Sequence, residues 1–230
     1  MIILDRETVD YCLELNDNIE FNTVEIDGGV VVYSSEVFKN FDSFLELYEL
    51  FPVLPSSQYE SSNPLMIQTF PGIIVEPFIN LTLKYIETTK KYSNLQMLQL
   101  RGNVAQNNKI ICHINSILPH IDCEGSDNGL VCNFWVNVSD GDGTQLWKFD
   151  GIPIGNDEFS KYKELYANDN NMVIFYNYEG DDRFTKNYFI PAKNNTCCFY
   201  YPNLLHSAVI NNDDTLRCSI VSWYGLEEKQ

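Results

Sequence analysis

The chain lacks any apolar run near the 18 residues a membrane-crossing helix needs. Its opening residues, Met1-Ile2-Ile3-Leu4-Asp5-Arg6, lack the charged start and long apolar centre of a secretory signal. The expected location is therefore cytoplasmic, with no membrane association. Basic residues are scarce: 15 Lys and Arg face 32 Asp and Glu, a formal net charge of −17. That field repels phosphate backbones, which excludes non-specific nucleic-acid binding but not one nucleotide in a pocket. The seven cysteines are odd in number, irregularly spaced and without a Cys-x-x-Cys pair. They read as reduced thiols rather than a disulfide framework. There is no phosphate-binding P-loop, no dinucleotide glycine fingerprint, no repeat and no low-complexity tract.

What is present suits one large domain. The 230 residues are 44% apolar and 13% aromatic, enough to bury a core without disulfides. We expect a single domain over 1–230, with a helix-containing N-terminal support in 1–107. There, Val24-Glu25-Ile26 and Val30-Val31-Val32-Tyr33 flank Asp27-Gly28-Gly29, a hairpin signal. Phe44, Leu47, Tyr48 and Phe51 recur at helical spacing, with Asn40 or Asp42 as candidate cap. A second helix is expected to start near Pro77 and to bury Phe78, Leu81, Tyr85 and Ile86. The stretch Pro52 to Pro64 reads as loop.

From about residue 108 to 224 the pattern becomes short β runs separated by turn clusters. Candidate strands are Lys109–Asn115, Leu130–Val138, Gln145–Phe149, Met172–Tyr176, Thr196–Tyr201, His206–Ile210 and Leu216–Trp223. Many short strands without alternating helices predict a mainly β sandwich, jelly roll or barrel with packed helices. Val131, Phe134, Val136, Phe199, Ile220 and Trp223 are its expected core. A helix over Glu158 to Ala167 is expected inside an insertion at about 150–195. That segment and 52–64 are candidate lids.

Three histidines bound the search for chemistry: His113, His120 and His206. In a strand, residues two apart point the same way, so His120 and Asp122 would converge. One further ligand would complete a two-His, one-carboxylate set with open positions, the arrangement that suits non-haem Fe(II). His206, opening a late strand, is the candidate. Eleven residues on, Arg217 begins the next strand with Ser219 on its face. An Arg there, in a chain with few, could hold a carboxylate bidentately, and Ser219 could add a hydroxyl.

The order His-x-Asp, glycine-rich turn, distal His and Arg-x-Ser resembles the Fe(II)/2-oxoglutarate-dependent dioxygenase superfamily, in its prolyl-hydroxylase-like form. Pro119-His120-Ile121-Asp122 is similar to the metal motif. Phe134-Trp135-Val136-Asn137 followed by Asp142-Gly143-Thr144 is similar to a strand end and turn of that family. Leu205-His206-Ser207-Ala208-Val209 resembles the distal-His strand and Arg217-Cys218-Ser219 the co-substrate clamp. The chain is also similar to uncharacterised phage and marine-bacterial members, with Phe70-Pro71-Gly72 in common, which is compatible with action in a host cytoplasm. The resemblance implies a double-stranded β-helix, a cupin-like jelly roll. It implies Fe(II) on His120, Asp122 and His206. It implies 2-oxoglutarate held by Arg217 and Ser219, with Trp135 where a tyrosine often stands, and O₂ as cosubstrate. The implied enzyme is an oxidoreductase, a dioxygenase that hydroxylates an amino-acid, peptide or small-metabolite substrate. The acidic surface favours a cationic one.

Other readings stay open at this point. His120 and Asp122 are compatible with a surface pair, Arg217 with a structural ion pair, and His113 and Cys197-Cys198 with packing. The whole chain is compatible with a cupin-like binding protein, or with a metal-dependent cupin enzyme that uses no 2-oxoglutarate.

Overall fold

Runs rich in Val, Phe, Trp and Tyr do form strands in the computed structural model. It describes residues 5–55, 66–68, 70, 72–89, 92–105, 119–121, 129–150, 168–169, 172–174, 181–211 and 216–228. The helices are α1 (Arg6–Cys12), α2 (Phe41–Glu49) and α3 (Gly72–Thr89). The strands are β1 (Phe21–Ile26), β2 (Gly29–Ser34), β3 (Val53–Pro55), β4 (Met66–Gln68), β5 (Tyr92–Ala105), β6 (His120–Ile121) and β7 (Gly129–Asn137). They continue with β8 (Gly143–Phe149), β9 (Asn168–Asp169), β10 (Met172–Ile174), β11 (Phe184–Pro191), β12 (Thr196–Tyr200), β13 (His206–Val209) and β14 (Arg217–Glu228). They build two antiparallel sheets. The large one runs β1-β2-β12-β7-β14-β5-β4-β3 and the small one β11-β8-β13-β6-β10-β9. The protein is a mainly β jelly roll with packed helices.

Strand alternation divides the apolar residues into two cores. On β7, Leu130, Cys132, Phe134 and Val136 point out of the sandwich, while Val131 and Trp135 point between the sheets. The outer set meets the helices. Phe134 is fully enclosed, with its ring centroid 5.3 Å from Phe38 and 5.6 Å from both Phe44 and Phe78. The inner set joins Val31, Leu146, Ile190, Cys198, Val221 and Trp223. Of the six expected core residues, Val131 and Trp223 lie between the sheets. Phe134, Val136, Phe199 and Ile220 belong to the helix-covered core instead.

Several elements differ from the sequence reading. The helix α3 begins at Gly72, so Pro77 sits inside it, buried, where it forgoes one backbone hydrogen bond. Phe78, Leu81, Tyr85 and Ile86 are buried as expected. The N-terminal part supplies strands as well as support, because β1 to β5 all join the large sheet. The 14-residue β5 went unread because a bulge changes its phase. Trp223 pairs with Gln99 but Tyr224 with Met97, which leaves Leu98 extra. Leu95 and Met97 therefore face the helix side at odd positions, and Leu100 and Val104 at even ones. The supposed lid at 150–195 contains β11, which pairs with β8 from Phe184 to Pro191, so that stretch is sheet. The expected strand Lys109–Asn115 and helix Glu158–Ala167 lie outside the described residues.

The turn before β8 shows why its residues are what they are. Gly141 has φ 87°, a left-handed conformation, and a side chain there would meet Asn211. A Cβ on Gly143 would lie 2.2 Å from the Ile190 carbonyl oxygen. Between them, buried Asp142 accepts from the backbone N–H of Ser139 (2.8 Å) and Asn211 (2.7 Å), tying the turn to the segment that follows β13. Gly143→Ala must part β8 from β11. It is expected to cost roughly 3 kcal/mol as an overpacking change, read as a lowered denaturation midpoint.

Candidate active site

The short β6 places His120 in the middle of the small sheet. His206, the first residue of β13, pairs in register with His120 on one side and Leu146 on the other. Register partners share a face, and Leu146 belongs to the inner core, so both imidazoles point between the sheets. Their ring centroids lie 4.3 Å apart and both residues are buried. His206 Nδ1–H donates to the Leu204 carbonyl oxygen at 2.8 Å, which leaves the lone pair on Nε2. On the opposite face, Trp147 Nε1–H donates to Ser207 Oγ at 3.0 Å and locks the strand. Two convergent buried imidazoles with one tautomer fixed suit a shared divalent ion. Asp122, the expected third ligand, and His113 lie outside the described residues. Among the described residues no three His, Cys, Asp or Glu cluster as a metal cage.

The large sheet presents a polar strip to the same interior. Arg217, Ser219, Val221 and Trp223 alternate along the inner face of β14, with Ser219 in register with Trp135. Arg217 is buried and Nη2 donates to the Gly143 carbonyl oxygen at 3.4 Å. The Ser219 hydroxyl and Trp135 Nε1 are enclosed and have no hydrogen-bond partner among the described residues. So is the Asn133 Oδ1 atom, one step along on the same face between Cys198 and Val221. An enclosed, unmatched polar atom costs about 1–3 kcal/mol, so three on one strip fit a ligand that completes them. The donors Arg217, Ser219 and Trp135 suit a carboxylate.

Sequence reading missed Asn133 and Tyr200. Tyr200 lies on the inner face of β12, with its ring 5.3 Å from that of His206. The legible signal for Asn133 was one amide inside the otherwise apolar, doubly buried strand of β7. Cys198, also on the inner face, is a packing thiol. Burial first, then Cys197, pushes it well above the ordinary range, and Arg217 only partly opposes this. Two surface clefts, of about 550 Å³ beside α1 and α3 and about 750 Å³ beside β2, include none of these site residues.

No protein-family model and no curated protein sequence matches the chain. Solved structures do match its backbone. The epimerase SnoN in complex with Fe3+, alpha ketoglutarate and nogalamycin RO superposes with a TM-score of 0.51 at 14% identity, covering 85% of this chain and 78% of that one. SnoN described as a non-heme alpha ketoglutarate dependent epimerase from nogalamycin biosynthesis gives 0.52 at 13% identity over the same shares. HygX from Streptomyces hygroscopicus with nickel, 2-oxoglutarate and hygromycin B gives 0.47 at 10% identity, over 96% of this chain and 87% of that one. The two sheets, the outer helices and the histidine-bearing small sheet are thus a jelly roll of the fold used by non-haem iron, 2-oxoglutarate-dependent enzymes.

Proposed function

We propose that the chain is a single-domain Fe(II)- and 2-oxoglutarate-dependent oxygenase that hydroxylates a small-molecule or peptide substrate. The observation that carries this reading is the pairing of two faces in one interior. Convergent His120 and His206 stand on the small sheet, and the unmatched donors of Trp135 and Ser219 stand beside Arg217 on the large one. His120, Asp122 and His206 would hold the metal. Arg217 and Ser219 would hold the distal carboxylate of 2-oxoglutarate, with the Trp135 indole N–H donating alongside. Bound Fe(II) and 2-oxoglutarate supply oxidation by O₂, with 2-oxoglutarate leaving as succinate and CO₂.

The chain's own residues contribute geometry and dryness. The Leu204 carbonyl fixes the His206 tautomer, so the ring needs no rearrangement when the metal arrives. Tyr200, Val131 and Trp223 wall the interior and exclude bulk water from the reacting centre. The SnoN complex contains nogalamycin RO, which supports a small-molecule substrate here.

The test is succinate formation with Fe(II), ascorbate and 2-oxoglutarate, with and without candidate substrates. Succinate above a metal-free control supports the oxygenase. Metal binding without 2-oxoglutarate binding supports a cupin-like alternative. Ser219→Ala should weaken 2-oxoglutarate binding by about 1 kcal/mol, the worth of one hydrogen bond, measured by calorimetric titration.

A further inference from the structure

The inner face of β5 carries a second cation that the sequence did not flag. Arg101 is in register with Val221, and Asn103 with Ser219, so both face the sandwich interior. The neighbours Leu100 and Val104 face the helix side, as alternation requires. From Gln99 through Arg101 to Asn103 this face passes from exposed to partly buried. The Arg101 guanidinium carbon sits 4.8 Å from the centroid of the Trp223 ring. Among the described residues its Nε is enclosed without a hydrogen-bond partner, and so is Asn103 Oδ1.

The four arginines of the chain differ in company. Arg6 pairs with Asp10, Arg183 with Asp181, and Arg217 donates to the Gly143 carbonyl. Among the described residues Arg101 has an aromatic platform and no acceptor. A partly desolvated guanidinium that pairs with none of the described acidic residues is poised for an anion from outside.

We propose that Arg101, seated on Trp223, is a subsite for an anionic group of the substrate, a carboxylate or phosphate. The proposal rests on the oxygenase reading for the word substrate, but the anion site itself does not. Its position separates it from the co-substrate clamp. The Trp223 contact draws the guanidinium to the level where β7 carries Val131 and β12 carries Tyr200, which touches His206. Three strand spacings, roughly 14 Å, separate β5 from β12. The substrate therefore carries its anion several bonds from the reacting carbon. The acidic surface favours cations at long range, whereas this inner face has the opposite sign and selects at contact.

The test is calorimetric titration of Mn(II)-loaded, 2-oxoglutarate-saturated protein, in which Arg217 is already taken. The probes are 3-phenylpropionate, phenyl phosphate and the cation 3-phenylpropylamine. Both anions should bind the parent, Arg101→Gln should weaken them by about tenfold or more, and Arg101→Lys by less. The amine should bind neither protein, and 2-oxoglutarate affinity should stay unchanged in both variants. Equal anion affinity in Arg101→Gln, no anion binding to the parent, or an amine as tight as the acid overturns the proposal. Loss of 2-oxoglutarate binding in Arg101→Gln also overturns it, by placing Arg101 in the clamp. A parent that binds no 2-oxoglutarate overturns the oxygenase reading alone. The anion titrations are then read without it, as the difference between parent and Arg101→Gln.

Discussion

Arg217→Ala is expected to weaken 2-oxoglutarate binding by roughly 2–5 kcal/mol, the cost of truncating one partner of a buried, hydrogen-bonded charge pair. The residue is buried on the inner face of β14 beside Ser219 and Trp135, whose neutral donors do not replace its charge. Water cannot easily do so either, because Ser219 and Trp135 are enclosed. Metal affinity should stay near that of the parent, since the histidines stand on the other sheet. The measurement is calorimetric titration of Mn(II)-loaded protein with 2-oxoglutarate, beside a metal titration. Equal 2-oxoglutarate affinity in variant and parent would remove Arg217 from the clamp and make it a structural residue.

The second large effect separates catalysis from structure. His206→Ala should abolish succinate formation while the apo protein still folds. The lost ring contacts with His120 and Tyr200 should cost about 1–2 kcal/mol. Phe134→Ala should cost roughly 3–5 kcal/mol, because it empties a site ringed by Phe38, Phe44 and Phe78 beneath the helices. Thermal melts in chelator, beside turnover in Fe(II), check both variants. Chelator is needed because bound metal stabilises the folded state by mass action. Should apo His206→Ala melt as early as Phe134→Ala, His206 is a packing residue and the proposed metal set loses a ligand.

The sequence by itself determined the elements whose cause is local. The Asp27-Gly28 turn makes the β1–β2 hairpin because Gly28 takes φ 87°. Runs of β-branched and aromatic residues between turn clusters made β7, β12 and β14 readable, and helical spacing placed Phe44 and Leu47 in the core. Motif order brought His120, His206, Arg217, Ser219 and Trp135 together as candidates, and the structure turns all five to one interior. Only the tertiary structure decided which of two faces each apolar residue serves. Period-2 alternation says that Phe134 and Trp135 point oppositely, not which one meets helices and which meets the other sheet. It also decided β5, since the bulge at Leu98 breaks the alternation that would reveal a strand. Arg101 owes its inward position to that same phase change and to pairing with a strand more than a hundred residues away, a long-range contact that no local pattern encodes.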